Sequence, residues 1–309
     1  MTDLLAPTHA KVAVVVLTWN GVEDTLACLA SLAQSDWPNL EVIVADNGSA
    51  DGTPAAVRGA GTASLVIENE DNLGFAAGNN AGIAAALERG ADLVFVLNND
   101  TIVPAATIGE LVRALEESPR AGACSAVLTY ADAPRRIWFA GSPFDPSRGR
   151  AGRASRYETG AALPSYPFAI DRVVGAAMLV RREAIEEVGL LAEELFYLYE
   201  DVEWSLRMRG AGWTVLLVPN ARVAHRVASS QNGQPVSPTT AYYGTRNDLE
   251  LGRRYGTARG PRALRRDAGC CLVHLAQVRR ARPGQRLACL RATLAGANDF
   301  RRGRLGRRG

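Results

Sequence analysis

The sequence is poor in cysteine and histidine, and the few that it has form no recognisable site. Five cysteines and three histidines occur among 309 residues, without a CxxC pair or the Cys/His spacing of a zinc site. An odd number of cysteines without a framework predicts reduced thiols and a cytosolic setting. A disulfide-stabilised secreted domain is therefore not expected.

Long apolar segments are also missing. No apolar run approaches the roughly 20 residues that a membrane-spanning helix needs. Residues 1–11 hold no apolar core typical of a signal peptide. We therefore expect a soluble protein in the cytoplasm, or one that binds the inner face of the cell membrane only from the side.

Glycine-rich phosphate loops are a third absence. A dinucleotide-binding domain needs GxGxxG in its first βα turn, and that turn reads TWNG at residues 18–21. The chain also lacks the GxxxxGK(S/T) loop of P-loop nucleotide-binding proteins. A nucleotide, if bound, must be held through other side chains.

Acidic residues become scarce towards the end of the chain. From Arg246 onward there are 17 arginines and four acidic residues, whereas the whole chain has a net charge of only +3. The preceding part is therefore net acidic. The two parts should meet different partners.

The sequence does contain a regular alternation of apolar runs and helical periods. Strands are predicted at residues 11–17, 40–45, 64–68, 92–97 and 121–129, and helices between them indicate βαβ units. The prediction is an α/β fold with a mostly parallel, Rossmann-like sheet flanked by helices. Separate short strands at 212–218 and 221–225 follow, and helices at 242–255, 262–280 and 285–297 form a helical, basic C-terminal region.

Residues 131–167 have a looser pattern, rich in Gly, Pro, Ser and Arg, with a possible strand at 136–140. Long loops in compact domains are usually functional or mobile. This segment is therefore either an adaptable flap over a substrate or a plain insertion.

Polar side chains follow three of the predicted strands where each strand ends. They are Asn20, Asp46 and the run Asn98-Asn99-Asp100. Ligands of open α/β sheets bind outside the carboxyl ends of the strands. Asp46 is placed to meet a base or ribose and Asp100 to meet a diphosphate through a cation, because Mg²⁺ binds through one or two carboxylates plus substrate phosphates. The alternative is that these residues only form tight turns.

Three further ionisable residues occupy special places in the chain. Glu200 and Asp201 open a predicted helix, where the dipole favours ionised acids. They either complement the helix start or supply a base that accepts a proton. His225 ends a predicted strand and is either a hydrogen-bonded bystander or a metal ligand.

Five segments in consistent order resemble the family-2 glycosyltransferases, the inverting enzymes of the GT-A fold, and especially their rhamnosyltransferase-like members. They are VVVLTWN at 14–20, VIVADNGSADGT at 42–53, NLGFAAGNN at 72–80, VLNND at 96–100 and EDVEWSLR at 200–207. YYGTRN at 242–247 and AGANDFRRGRLGR at 295–307 are also similar to this group. The resemblance covers nearly the whole chain.

The resemblance implies a role for each matching residue. Asp201 would be the catalytic base, with Glu200 beside it. Asp100 would hold a divalent metal, Mg²⁺ or Mn²⁺, with His225 completing the site; the usual Asp-x-Asp appears here as Asn98-Asn99-Asp100, so one carboxylate remains. Nucleotide-sugar binding is implied for Thr18, Asn20, Asp46, Asn47, Asp51, Asn72, Gly74, Asn79 and Asn99. Positions near the acceptor or donor are Gly175, Ala176, Trp204, Arg246 and Asn247.

The implied reaction moves a sugar, with rhamnose or another deoxyhexose as the best guess, from a dTDP- or UDP-linked donor to a glycan or lipid-linked acceptor. Residues 1–240 would form the catalytic domain, with a nucleotide-sugar half at 1–120 and an acceptor half at 121–240. Residues 241–309 would form the helical, arginine-rich region.

Alternative functions are a sugar-1-phosphate nucleotidyltransferase and a non-catalytic scaffold at a membrane surface. The first needs a glycine-rich loop with a basic residue near the N-terminus, which TWNG does not offer.

The helix at 262–280 alternates an apolar face with arginines. It suits an interfacial helix on anionic lipid, or a helix packed on the catalytic domain with a solvated basic face. Residues 301–308 are predicted to be a flexible arm. No base-reading motif accompanies the arginines, so nucleic acid is not an expected partner.

Overall fold

A computed structural model describes residues 9–152, 157, 162–227 and 235–308. The strands are β1 Val12–Thr18, β2 Leu40–Asp46, β3 Leu65–Glu68, β4 Leu93–Asn98, β5 Thr101–Ile102, β6 Ala121–Tyr130, β7 Ala133–Phe139, β8 Phe144–Asp145, β9 Arg150–Ala151, β10 Phe168–Ile170, β11 Ala177–Arg181 and β12 Thr214–His225. The α-helices are α1 Val22–Leu32, α2 Thr53–Ala60, α3 Gly74–Glu88, α4 Thr107–Glu116, α5 Arg182–Val188, α6 Glu200–Gly210, α7 Pro238–Tyr255, α8 Pro261–Gln277 and α9 Arg286–Arg301.

The main sheet has the order β10-β12-β6-β11-β4-β1-β2-β3, with β5 paired to β12 and β7 to β6. Strands β1 to β4 pair in parallel, and β11 is inserted antiparallel between β4 and β6. The apolar runs of β1 and β4 are fully buried because helices cover both faces of the sheet. The predicted α/β fold with a mostly parallel sheet is confirmed.

The strand register brings the predicted polar positions to one edge. Thr18 pairs with Asp46 and Leu17 with Asn98, so the ends of β1, β2 and β4 lie side by side. Small residues of α3 allow this helix to lie close to the sheet. A side chain at Gly78 would collide with Leu17, and one at Gly82 with Val15.

Two separate strands predicted at 212–218 and 221–225 form one strand, β12, so this prediction is wrong. The register shifts between Val218 and Arg222. Pro219 cannot donate a ladder hydrogen bond, so pairing is interrupted by a bulge without ending the strand. The continuation pairs with β5, which places His225 opposite Thr101.

The long segment after β6 contains β7 and the short hairpin β8–β9. The possible strand at 136–140 corresponds to β7, Ala133–Phe139. Residues 153–156 and 158–161 of the predicted flap lie outside the described residues.

The C-terminal helices α7, α8 and α9 pack on one another and on the sheet domain. Helix α8 buries Cys270 and His274, while Leu264 and Leu272 are 72% and 66% exposed. The apolar face expected from the sequence is thus not the packed face. No helix in the described ranges is long and apolar enough to cross a bilayer.

The prediction that residues 301–308 form a flexible arm is wrong. The Gly306 N–H donates to the Glu194 carbonyl at 2.6 Å, and the Gly306 carbonyl accepts a hydrogen bond from Arg246 Nη1 at 2.6 Å. The Arg308 N–H donates to the Tyr243 hydroxyl at 2.8 Å. Glycines supply the positive φ angles for these turns (66° at Gly303 and 90° at Gly306), so the segment folds back along α7.

Candidate active site

The ends of β1 and β2 are joined through polar side chains. Asn20 adopts a positive φ of 51°, and its Oδ1 accepts a hydrogen bond from the Ala50 N–H at 2.8 Å. Asp46 Oδ1 accepts one from the Ser49 N–H at 2.8 Å. Asp46 Oδ2 is buried and has no partner among the described residues. This free carboxylate oxygen is suited to a hydrogen-bond donor of a ligand.

Asp51 has a local role in the same turn. Its Oδ1 accepts hydrogen bonds from the Thr53 hydroxyl at 2.5 Å and the Thr53 N–H at 3.1 Å, next to the start of α2. The Thr53 hydroxyl lowers the pKa of Asp51. This carboxylate therefore helps to hold the loop that carries Ser49.

The glycine-rich segment after β3 is fixed to β2 and to the loop before α6. Asn47 Nδ2 donates to the Gly74 carbonyl at 2.9 Å, and Asn72 Oδ1 accepts from the Gly74 N–H at 2.9 Å. Gly74 has φ 86°, and an added side chain would collide with the Phe196 carbonyl. Asn79 is buried and donates to the Phe75 carbonyl at 2.9 Å, while its Oδ1 has no partner among the described residues.

The side chains of Asn99 and Thr18 face helix α1. Asn99 Nδ2 donates to Thr25 Oγ1 at 3.0 Å and lies 3.3 Å from Thr18 Oγ1. The two threonine hydroxyls are 2.8 Å apart. These contacts hold the β4–β5 turn in place and leave the next residue, Asp100, to face outward.

Asp100 and His225 form the pair that could hold a metal ion. Asp100 Oδ1 lies 3.0 Å from His225 Nε2, and the histidine is buried whereas the aspartate side chain is 31% exposed. The ring of Trp138 packs edge-to-face on the His225 ring at 4.4 Å. Asp100 Oδ1 and His225 Nε2 face each other at hydrogen-bond distance, and a carboxylate with an imidazole is a pair of ligands that a divalent cation can use.

Asp201 lies in the first turn of α6 and is held on both oxygens. Oδ1 accepts a hydrogen bond from the Val202 N–H at 2.7 Å, and Oδ2 accepts one from the Gly175 N–H at 3.0 Å. Arg172 Nη1 lies 3.8 Å from Oδ2. A side chain at Gly175 would collide with Phe75, so the close approach of this backbone requires glycine.

Glu200 differs sharply from its neighbour. It is 3% exposed, and its Oε1 has no partner among the described residues. Burial raises the pKa of Glu200 to about 8, and the charge of Asp201 adds to the shift. At neutral pH Glu200 is therefore mainly protonated and is not suited to accept a proton.

The start of α6 and the turn at Gly175 border a cleft of about 160 Å³. It is lined by Phe75, Asn98, Trp138, Val174, Gly175, Ala176, Tyr197, Leu198, Tyr199, Glu200 and Asp201. Trp138 belongs to this cleft and also contacts His225. The tryptophan ring therefore connects the Asp100–His225 pair with the wall that carries Asp201.

Trp204, Arg246 and Asn247 do not line this cleft. Trp204 is 1% exposed in the core, and its Nε1 donates to the Gly189 carbonyl at 2.8 Å. Arg246 and Asn247 are buried beneath the loop that precedes α6. Asn247 Nδ2 lies 2.9 Å from each of three carbonyl oxygens, and these belong to Leu195, Tyr197 and Leu198.

That loop contains Phe196, Leu198 and Tyr199 at φ angles of 63°, 72° and 76°. Non-glycine residues in this region carry strain that often marks functional sites. Sequence reasoning missed the aromatic side chains of the cleft. The φ angles have no sequence signal, although Trp138 lay within the predicted strand at 136–140.

Comparison with known proteins identifies relatives of the chain. The profile of the family described as "Glycosyl transferase family 2" matches residues 13–189. An N-acetylglucosaminyl-diphospho-decaprenol L-rhamnosyltransferase of Mycobacterium tuberculosis is 29% identical over 283 residues, which cover 84% of this chain and 88% of the relative. The dTDP-rhamnosyl transferase RfbF of Shigella flexneri is 25% identical over 189 residues, 59% of this chain and 61% of the relative.

Solved structures show the same fold. Mannosyltransferase PcManGT from Pyrobaculum calidifontis, in complex with GDP-Man and Mn²⁺, has a TM-score of 0.57 at 20% identity and covers 96% of this chain and 80% of its own. GalNAc-T7 with UDP, GalNAc and Mn²⁺ has a TM-score of 0.57 at 16% identity, with coverage of 79% and 48%. The predicted GT-A fold is confirmed.

Proposed function

The chain belongs to glycosyl transferase family 2, and from this premise we propose that it is an inverting, metal-dependent glycosyltransferase with Asp201 as its base. The observation that carries the proposal is the lining of the cleft: Asp201 borders it, and Trp138, which also borders it, contacts the His225 ring. The family assignment favours this activity over a nucleotidyltransferase or a non-catalytic scaffold.

We propose that the nucleotide lies along the ends of β1, β2 and β4. The unpaired Oδ2 of Asp46 needs a donor, and the imide N–H of thymine or uracil supplies one. Asn20, Asp51, Asn72 and Gly74 shape the turns around it, since their contacts are to backbone or to neighbouring side chains.

Asp100 and His225 would hold the divalent ion, Mg²⁺ or Mn²⁺. Their spacing of 3.0 Å and the exposure of Asp100 support this role. When bound, such an ion neutralises the charge that grows on the departing nucleoside diphosphate. His225 is kept in place by β12 pairing and by Trp138, so this ligand is positioned before the donor arrives.

Asp201 would remove the proton from an acceptor hydroxyl. The oxygen then bonds to the anomeric carbon of the donor sugar as the bond to the diphosphate breaks on the opposite face, which inverts the configuration. The Gly175 and Val202 N–H groups fix the carboxylate so that little reorganisation is needed during the reaction.

The donor sugar is proposed to be rhamnose or another deoxyhexose on dTDP or UDP. The support is that two relatives carry a rhamnosyl transfer in their names. The acceptor is proposed to be a glycan or a lipid-linked sugar. Residues 1–240 would carry donor and acceptor sites, and residues 241–309 would form the basic region that supports them.

Contact with an anionic membrane surface at the cytoplasmic face is part of this proposal. The exposed Leu264 and Leu272 of α8 stand beside arginines, a combination that suits an interfacial helix.

A donor panel tests the proposed activity. The protein is incubated with dTDP-rhamnose, UDP-glucose and GDP-mannose, with Mn²⁺ or with EDTA, and release of nucleoside diphosphate is measured. We expect slow hydrolysis of dTDP-rhamnose that needs the metal and is lost in Asp100→Ala and Asp201→Asn, while the exposed control Asp36→Asn retains it. Pyrophosphate exchange instead of hydrolysis would refute the proposal.

A further inference from the structure

A second cavity, of about 690 Å³, lies between the β8–β9 turn and the first half of α8. We call it the basic cavity because six arginines line it, namely Arg148, Arg150, Arg259, Arg262, Arg265 and Arg266. Gly269, Cys270 and Val273 continue the same face of α8 at helical spacing. It shares no lining residue with the catalytic cleft.

Positive charge in the basic cavity exceeds negative charge. Three arginines pair with a carboxylate, and these pairs are Arg148–Asp145, Arg150–Asp248 and Arg266–Asp267. The other three have no carboxylate partner within the part of the chain that the structure describes: Arg259, Arg262 and Arg265. Unpaired guanidinium groups around a concave surface favour a multiply charged anion.

The walls of the basic cavity are built by specific contacts. The Thr257 N–H donates to the Pro146 carbonyl at 2.8 Å, and Arg266 Nη1 donates to the Gly252 carbonyl. A side chain at Gly149 would collide with Gly252, so the β8–β9 turn lies directly on α7. The cavity is therefore formed by packed elements and not by loose side chains alone.

A buried carboxylate supports this wall from inside. Asp248 Oδ2 accepts hydrogen bonds from Arg150 at 2.7 Å and from His274 Nε2, 2.9 Å away. Asp248, Cys270 and His274 are close enough to hold a metal ion. Asp248 Oδ1 has no partner among the described residues, but the Arg150 guanidinium on Oδ2 would repel a cation, so the arrangement favours an anion in the cavity.

Tyr199, in the loop that precedes α6, connects the cleft with the surroundings of the basic cavity. Tyr199 lines the catalytic cleft and directly precedes Glu200. Tyr199 also belongs to the same apolar cluster as Phe144 and Ala151 of the β8–β9 hairpin and Leu251 of α7. It therefore lies between the cleft and the hairpin that borders the basic cavity.

We propose that the basic cavity binds a phosphate or diphosphate group that is carried on a lipid. Arginine is suited to phosphate because its planar fork donates two parallel hydrogen bonds. Leu264 and Leu272 offer exposed apolar surface on the same helix, and Leu272, seven residues after Arg265, lies at the edge of the face that lines the cavity. The lipid is either the surrounding membrane or the acceptor, and the latter assignment rests on the proposed function.

Calorimetric titration with inorganic diphosphate tests the anion chemistry. EDTA is present throughout, so that metal-dependent binding near Asp100 does not contribute. The test variant is Arg262→Ala/Arg265→Ala, whose side chains are exposed and have no hydrogen bond or ion pair among the described residues. The control, Arg280→Ala/Arg282→Ala, removes two exposed charges from the same basic region.

We expect saturable binding to the wild type and the control, and binding weaker by roughly tenfold or more in the test variant, because two charge-assisted contacts are lost. Absence of saturable binding to the wild type would overturn the proposal. Equal weakening in both variants would also overturn it, because charge alone would then explain the effect.

Two further probes identify the source of the phosphate. If it is the membrane, sedimentation with phosphatidylglycerol vesicles, but not phosphatidylcholine vesicles, falls in the test variant relative to the control. If it is the acceptor, farnesyl diphosphate binds more tightly than inorganic diphosphate and vesicle binding is equal in both variants. A test variant that matches the control with every probe contradicts the proposal. Donor hydrolysis is measured separately, so failure of the glycosyltransferase assignment would leave diphosphate binding intact.

Discussion

The Asn247→Asp variant should disturb the loop that precedes α6 by changing a buried side chain to one of nearly the same size. Asn247 Nδ2 lies 2.9 Å from the carbonyls of Leu195, Tyr197 and Leu198, and the Leu195 carbonyl also accepts from Arg246 Nη2 at 2.8 Å. The aspartate has the same size but donates no hydrogen bond. The carbonyls of Tyr197 and Leu198 would therefore lose this side-chain donor.

The expected loss of stability follows from these contacts. Two protons on one nitrogen make at most two full hydrogen bonds, worth about 1 kcal/mol each, and a buried acceptor left without a donor costs about 1–3 kcal/mol. A decrease of about 2–4 kcal/mol in the free energy of unfolding is expected, which most domains survive. The strained loop should relax and shift Asp201, and a misplacement of about 1 Å can lower turnover about 100-fold.

Urea unfolding and the rate of sugar transfer measure the two effects, and the dissociation constant of the nucleoside diphosphate serves as a third readout. The control is Asn298→Asp on the exposed face of α9. We expect lower stability and lower kcat with nearly unchanged nucleotide affinity. A normal kcat in a destabilised protein would show that Asn247 does not position the loop, and the reasoning would fail.

Three other perturbations address the donor side, the buried acid and the glycine contact. Asp100→Ala should abolish the Mn²⁺-dependent part of nucleoside diphosphate binding, measured by calorimetry with and without EDTA. In the folded protein the pKa of Glu200 is about 8, above the ordinary value of 4.5. The folded state is therefore favoured most below pH 4.5, where Glu200 is protonated in both states, and the free energy of unfolding falls as pH rises to 8. Glu200→Gln should therefore become more stable relative to the wild type as pH rises through that range, by at most about 5 kcal/mol. The exposed control Glu116→Gln should show a difference from the wild type that does not vary with pH. The same pH-independent difference in Glu200→Gln would contradict the buried position. Gly74→Ala should lower stability and turnover together, because φ is 86° and the methyl group would meet the Phe196 carbonyl; unchanged melting and activity would show that this contact is not required.

The sequence predicted the first four strands of the sheet well because its signals are local. Continuous apolar runs identified β1, β2 and β4, and parallel pairing then required their polar ends to meet at one edge. The sequence alone therefore places Asp46 and Asp100 at this edge. The same reasoning found the start of α6 at Glu200, since acids at a helix start have a physical cause.

The remainder of the site depends on contacts between distant parts of the chain. Asn99 was grouped with nucleotide-binding residues, but its amide turns towards Thr25, 74 positions earlier. Arg246 and Asn247 were grouped with acceptor positions, but they lie under a loop some 50 residues before them. No local pattern encodes such burial, and no propensity predicts three positive φ angles in the run from Phe196 to Tyr199.

The C-terminal region shows a related limit. Helix positions were predicted within a few residues, but the packed face of α8 was not, because Cys270 and His274 are buried while leucines are exposed. Asp248 determines which face of α8 is packed, because it accepts hydrogen bonds from His274 and Arg150. A buried polar cluster of this kind cannot be recognised from apolar periodicity.

The Asp201→Asn variant tests the central claim most directly. Asparagine keeps the size of the side chain and an oxygen for the Gly175 N–H, but it cannot accept the acceptor's proton. Initial rates of sugar transfer and the calorimetric affinity for dTDP with Mn²⁺ should be measured on the same preparation. The account predicts a kcat lower by roughly 100-fold or more with dTDP affinity within about twofold of the wild type. A near-normal kcat would contradict it, because another group would then have to remove the proton.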